Sequence, residues 1–233
     1  MMALLPSVPV RLASCLAALS IAATVTAGTI TGRVQARAPE APGASSGDSD
    51  GGYGSRRYKF LEKIDYEAMR NFVVSIDRVA HPATPEAPAH AVVTQRDGQF
   101  EPHVLPVVVG TEVEWANQDD IFHNVFSMSD ACGFDLGLYK RGDGAKKVVF
   151  TLPGRVDVYC SIHTKMSCIV LVLPNPWFAL SEANGRYTIH NVPAGTYRLK
   201  AWHERLPPQA REIVVPEQGE VRADFTLGLG QRP

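Results

Sequence analysis

A chain of 233 residues that is 45% hydrophobic and 20% charged can bury one large core or two smaller ones, which excludes a wholly disordered or low-complexity polymer. Its 23 basic and 24 acidic residues nearly cancel to a formal charge of -1, so no bulk field draws it to nucleic acid or to an anionic membrane surface. Nucleic acid is therefore not an expected partner.

The first 27 residues carry Arg11 as their only charged side chain, then the apolar stretch "LASCLAALSIAATV" and the small residues of "VTA" before Gly28. This predicts a signal peptide cleaved after Ala27 and export to the periplasm. The apolar run is short and rich in Ala and Ser, so no membrane span is expected in the mature chain. "LASC", ending at Cys15, also fits a lipoprotein box, but most of the apolar run follows that cysteine, which argues against anchoring.

"GTITGRV" (28–34) alternates like a strand, and the next twenty residues are a Pro/Gly/Ser/Ala-rich loop or disordered segment. Residues 55–70 place Phe60, Leu61, Ile64 and Met69 near helical spacing, which predicts a short helix. "NFVVSIDRV" (71–79) reads as a strand and is followed by a Pro/Ala linker. Short β-segments then alternate with turn residues, at 91–95, 104–109, 111–116, 122–127, 146–151, 155–160 and 168–173, and again at 186–190, 196–202, 211–215 and 221–227. The fold class is all-β, with spacing that suggests sandwiches.

A composition break falls at "LPNPWF" (173–178). Beyond it, "NGRYTI", "VPAGTYRL" and "REIVV" resemble the carboxypeptidase regulatory-like (transthyretin-like) β-sandwich. Domains of that family open with a strand like "GTITGRV", so the resemblance implies a discontinuous domain. Residues 28–80 would supply its first strands and 176–233 the remainder, with residues 90–175 inserted between.

Three cysteines remain after export: Cys132, Cys160 and Cys168. In an oxidising compartment an odd count leaves one unpaired. A Cys132–Cys168 disulfide would leave Cys160 free; the alternative is three buried thiols. Cys160 opens "CSIHTKM", which gathers Cys160, His163 and Met166 within seven positions. Thiolate, imidazole and thioether form a soft donor set suited to copper rather than to calcium or magnesium. One imidazole is still missing for a trigonal site, and His123 in "VEWANQDDIFHNVFS" can supply it if two packed sheets bring the strand ends together.

"GTEVEWANQD" leading to "HNV", the run "VVFTLPGRVDVYC" and "CSIHTKM" resemble a cupredoxin of the plastocyanin and amicyanin type, over about residues 90–175. The resemblance implies a Greek-key sandwich holding one type 1 copper. His123, Cys160 and His163 would form the trigonal plane and Met166 the weak axial contact. It further implies that Asn124 bonds across to Ser161 to stiffen the site, that Phe122, Phe126, Phe150 and Tyr159 wall off water, and that electrons pass at the edge of His163 beside Ile162 and Lys165. A redox protein such as a c-type cytochrome or a dehydrogenase would be the partner.

The expected function is a one-electron carrier and not an enzyme. The alternatives are a copper-handling protein using the same ligands, a Cys160 nucleophile with His163 as base, and a regulatory-like domain that binds a partner with copper secondary. His103 in "FEPHVLPV" is a lone histidine before a strand and is assigned no metal role, as are His81, His90, His190 and His203. Asp135 reads as loop geometry, and Asp119 and Asp120 as turn contacts.

Overall fold

The computed structural model describes residues 27–38, 65–77 and 89–229. The expected signal peptide up to residue 26, most of the expected loop and Pro/Ala linker, and most of the expected helix lie outside them; Gln35 and Ala36, read as the start of the loop, extend β1, and His90, read as linker, opens β3. The described end of that helix, 65–70, is a series of bends. Asp65 Oδ1 accepts the N–H groups of Glu67 and Ala68, both at 3.1 Å, and Asn71 has φ 63°. Local side-chain bonding and a left-handed residue thus replace the helix there.

Every regular element among the described residues is a strand: β1 (Ala27–Ala36), β2 (Val73–Ile76), β3 (His90–Arg96), β4 (Gln99–Glu101), β5 (Val104–Val108), β6 (Glu112–Asn117), β7 (His123–Ser129), β8 (Cys132–Tyr139), β9 (Lys146–Val149), β10 (Gly154–Tyr159), β11 (Ser167–Leu173), β12 (Phe178–Leu180), β13 (Arg186–Pro193), β14 (Gly195–His203), β15 (Leu206–Val215), β16 (Glu220–Arg222) and β17 (Phe225–Leu227). The protein is all-β. Three of these, β4, β8 and β12, are absent from the sequence reading. No helix among the described residues is long and apolar enough to cross a membrane.

Strands β3 to β11 form one sandwich. Its sheets run β5-β11-β10-β7-β8 and β4-β3-β6-β9, with β5/β11 and β3/β6 parallel and the other pairs antiparallel. Alternate residues point inward, so Val113 and Trp115 of β6, Val125 of β7, Val156 and Val158 of β10 and Phe150 share one core. Burying each such side chain contributes roughly 1.5–3 kcal/mol relative to leaving it exposed.

Strands from both ends of the described chain form a second sandwich, with sheets β13-β1-β16, where β17 also pairs with β1, and β12-β2-β14-β15. Its core includes Ile30, Val34, Val74, Ile76, Leu199 and Leu227. Gly32 is needed for close approach: a Cβ there would lie 1.9 Å from the Ala223 carbonyl oxygen. The two sandwiches meet through Val73, Phe178 and Trp202 on one side and Val104, Ile169, Leu171 and Leu173 on the other. This contact covers the outer face of β5 and β11, one edge of the sheet that carries the candidate site.

All three described cysteines are free thiols, so the Cys132–Cys168 disulfide is not formed. Strands β8 and β11 are separated by β10 and β7, about 14 Å at usual strand spacing. A disulfide tolerates Cα separations only to about 7 Å.

Candidate metal centre

Antiparallel β10 and β11 are joined by the turn 160–166, closed by two backbone bonds: Cys160 N–H to the Met166 carbonyl at 3.1 Å and Met166 N–H to the His163 carbonyl at 3.0 Å. Strand β7 lies beside β10, Phe126 opposite Tyr159, so the start of β7 falls at the same end of the sheet as this turn. That puts His123, Cys160 and His163 together, with their donor atoms all within 4.8 Å of one another. His123 Nδ1 and His163 Nδ1 are 3.0 Å apart, and His163 Nδ1 is 3.7 Å from Cys160 Sγ. Met166 is 1% exposed and packs in the same core cluster as Cys160.

The donor set fits a soft ion. For metal–nitrogen bonds of about 2.05 Å and a metal–sulfur bond of about 2.3 Å, an ideal trigonal centre places its nitrogens roughly 3.5 Å apart and each roughly 3.8 Å from sulfur. The 3.7 Å between His163 Nδ1 and Cys160 Sγ matches the second value, and the 3.0 Å between the two Nδ1 atoms is shorter than the first, so an ion there would widen the imidazole pair by about 0.5 Å. His123 uses Nε2, not Nδ1, for its bond to Asp119 Oδ2 at 2.8 Å, which leaves its Nδ1 turned to His163.

Asp119 is the group that sequence reasoning missed. His123 is 0% exposed, and its Nε2–H points at this carboxylate, which leaves Nδ1 as the lone-pair nitrogen turned to Cys160 and His163. The carboxylate is itself held: its oxygens accept the N–H groups of Asp97 at 2.9 Å and Gly98 at 3.0 Å, and Asp119 N–H donates to Asn117 Oδ1 at 2.8 Å. Asp97 and Gly98 both have positive φ, the Asp-Gly pair of a tight hairpin turn between β3 and β4. Burial pushes the Asp119 pKa up, but the bonds from Gly98, His123 and Asp97 outweigh it and hold the carboxyl below its ordinary value.

Asn124 sits beside the sulfur in a different way from the expected one. Its backbone N–H faces Cys160 Sγ at 3.4 Å, while its side-chain Nδ2 donates to Asp135 Oδ1 at 2.7 Å, and its buried Oδ1 has no partner. The bond to Ser161 is not made: Ser161 is exposed on the turn, and the amide is turned toward β8. Asp135 also accepts the Gly137 N–H, and these two bonds hold its carboxyl below the ordinary range. It is therefore a brace for Asn124, beyond the loop geometry read from the sequence.

Of the four aromatics expected to exclude water, Phe150 is fully buried, Phe126 is half-buried, and Phe122 and Tyr159 are 48% and 45% exposed. The latter two stand in solvent, Phe122 just before β7 begins and Tyr159 at the end of β10, where its ring lies 6.0 Å from that of Phe126. Ile162 is exposed and His163 half-buried, so one imidazole edge reaches the surface. Lys140 Nζ lies 5.4 Å from the Phe122 ring centroid. Beneath the site, Tyr139 accepts from Gln95 Nε2 and donates to the Trp115 carbonyl at 3.1 Å; burial pushes its phenol up to about 12.

No family model and no curated protein matches this chain. Among solved structures it is similar to a Cu-containing nitrite reductase from Thermus scotoductus SA-01, at 27% identity over 42% of this chain and 25% of that one, TM-score 0.34. The chain thus spans a quarter of that reductase's length. It is also similar to a purple cupredoxin from Nitrosopumilus maritimus, at 28% identity over 35% of this chain and 98% of that one, TM-score 0.32. A reduced Cu(I) form of an amicyanin variant matches at 27% identity over 42% of this chain and 97% of that one, TM-score 0.34.

Proposed function

We propose that this is an exported type 1 copper protein that carries one electron at a time, with His123, Cys160 and His163 as the equatorial ligands and Met166 as the axial one. The observation that carries the reading is the convergence of two imidazole Nδ1 atoms and a thiol at separations that suit one soft ion. Copper held there would supply a reversible Cu(I)/Cu(II) couple.

The chain's own residues make such a site stiff, and stiffness is what an electron carrier needs. Asp119 holds His123 in one tautomer and orientation. The Asn124 N–H donates toward sulfur, tempering its charge. The two backbone bonds across the turn fix where Met166 stands relative to Cys160. A site that moves little when its charge changes loses little energy to reorganisation.

The half-buried edge of His163, flanked by exposed Ile162 and Lys165, is the proposed electron port. A redox protein with an acidic rim, such as a c-type cytochrome or a dehydrogenase, is the proposed partner. The leader sequence supports a periplasmic location, and the second sandwich is proposed to be of the regulatory-like type. A partly open His163 would equally serve copper delivery by ligand exchange. Voltammetry of the copper-loaded protein separates the two: a carrier gives a reversible one-electron wave, whereas a delivery protein gives copper transfer to a chelating acceptor without one.

A further inference from the structure

Outside the metal centre, one half-buried histidine is tied to both sandwiches. His103 lies between β4 and β5. Its Nε2 faces both carboxylate oxygens of Glu204, at 3.0 and 3.2 Å, and its Nδ1 faces the Ser167 carbonyl at 3.2 Å. Both partners are acceptors only, so both contacts are satisfied only when each ring nitrogen carries a proton. Glu204 belongs to the turn between β14 and β15 of the second sandwich, and Ser167 is the first residue of β11, directly after Met166. The backbone of His103 adds a third tie: its carbonyl accepts the Ile169 N–H at 2.8 Å.

We propose that His103 and Glu204 are positioning residues for the metal centre: through them the second sandwich fixes the Ser167 carbonyl, and with it the place of Met166. This rests on the type 1 reading of the site. Ser167 is the register partner of Tyr159, and Met166 closes the turn onto Cys160, so a shift of Ser167 moves the axial side chain relative to the thiol. The strut also gives the second sandwich a task in the redox site, beyond covering the outer face of β5 and β11.

The groups that face His103 define its titration. Glu204 is in direct contact, with His203 next to it in the chain, and Arg155 from β10 donates to the Glu204 carbonyl at 3.3 Å while pairing with Asp157 at 2.7 Å. The Glu204 bond raises the His103 pKa, and burial and Arg155 only partly oppose it. When the ring loses a proton as pH rises, it keeps the N–H that faces the carboxylate, the stronger acceptor, and releases Ser167.

The test has two arms. In metal-free protein, NMR amide signals of Met166, Ser167 and Ile169 should follow the His103 imidazole titration; they should stay flat through that range in His103→Gln, and move to lower pH with the imidazole in Glu204→Gln. In copper-loaded protein, the midpoint potential should change over the same pH range in the wild type, over the lowered range in Glu204→Gln and not at all in His103→Gln, with the double variant no different from His103→Gln. Amides that ignore the His103 titration overturn the strut, whatever the metal does. Amides that respond while the potential stays flat overturn its role at the metal. Failure to bind copper through Cys160 refutes the type 1 reading instead, and the metal-free arm still decides the strut.

Discussion

Replacing Asp119 with alanine perturbs the centre while leaving all four candidate ligands in place. The His123 ring is 0% exposed and its Nε2–H has Asp119 as partner, so the variant leaves a buried donor unpaired, at a cost of about 1–3 kcal/mol. Loss of a partner that orients a metal-bound histidine typically lowers metal affinity 10–100-fold, which is about 1.4–2.8 kcal/mol and the same size. The N–H groups of Asp97 and Gly98 also lose their acceptor, but they lie near solvent and water replaces it. Asp119→Asn keeps an acceptor oxygen and loses the charge, so its affinity should fall less than tenfold. Chelator competition with Cu(I) on wild type, Asp119→Ala and Asp119→Asn, beside urea unfolding of the metal-free proteins, measures both effects. An Asp119→Ala affinity within twofold of wild type would refute the claim that this carboxylate orients His123.

Met166→Ala should cost the metal-free protein about 2–5 kcal/mol through the cavity left in a site that is 1% exposed, read as a lower urea midpoint. Met166→Leu conserves volume and should cost less than about 1.5 kcal/mol, yet still move the copper potential. Under native conditions a thiol-alkylating reagent should modify Cys132 before Cys168, because burial pushes both thiols up but Cys168 much further; peptide mass mapping that finds the reverse order would contradict the packing. The His103–Glu204 pair makes stability pH-dependent. The His103 pKa is raised, so its contribution is complete below the ordinary 6.5 and is lost as pH rises through the folded value. The Glu204 pKa is lowered, mainly by its bond to His103, so its contribution is present above 4.5 and is lost as pH falls through the folded value. The difference in urea midpoint between wild type and Glu204→Gln should therefore be largest between these two pH values and shrink on either side; a flat difference would contradict the pairing.

Much of the β-architecture was legible because alternation is a local signal: "VEWAN" and "RVDVYC" each show their inward residues two apart. Strand β8 was not. "CGFDLGLY" carries two glycines and an aspartate, and its register against β7 shifts between Asn124 and Phe126, so its pattern is broken where it would have been read. Strand β4 is three residues long, though "RDGQ" before it holds the Asp-Gly signal of a tight hairpin. Cys160 and His163 lie three apart and could be paired from spacing alone, while the approach of His123 depends on β7 lying beside β10. Asp119, Asp135 and His103 were read by their local settings as turn or surface groups. The His103–Glu204 pair depends on the packing of one sandwich on the other and Asp135–Asn124 on the unread strand β8, which no window of sequence contains; Asp119 lies only four residues before His123, but which atom of the ring it meets depends on how the 118–122 turn folds back. The disulfide failed for the same reason: cysteine parity says nothing of three intervening strand spacings.

The central claim is that one copper ion is bound by the Cys160 thiolate together with His123 and His163. The visible absorption spectrum of the protein after stoichiometric Cu(II) addition tests it most directly. An intense thiolate-to-copper charge-transfer band, absent in Cys160→Ser and strongly altered in His123→Ala, is the expected result. A spectrum with only weak ligand-field absorption, unchanged when Cys160 is replaced, would contradict it.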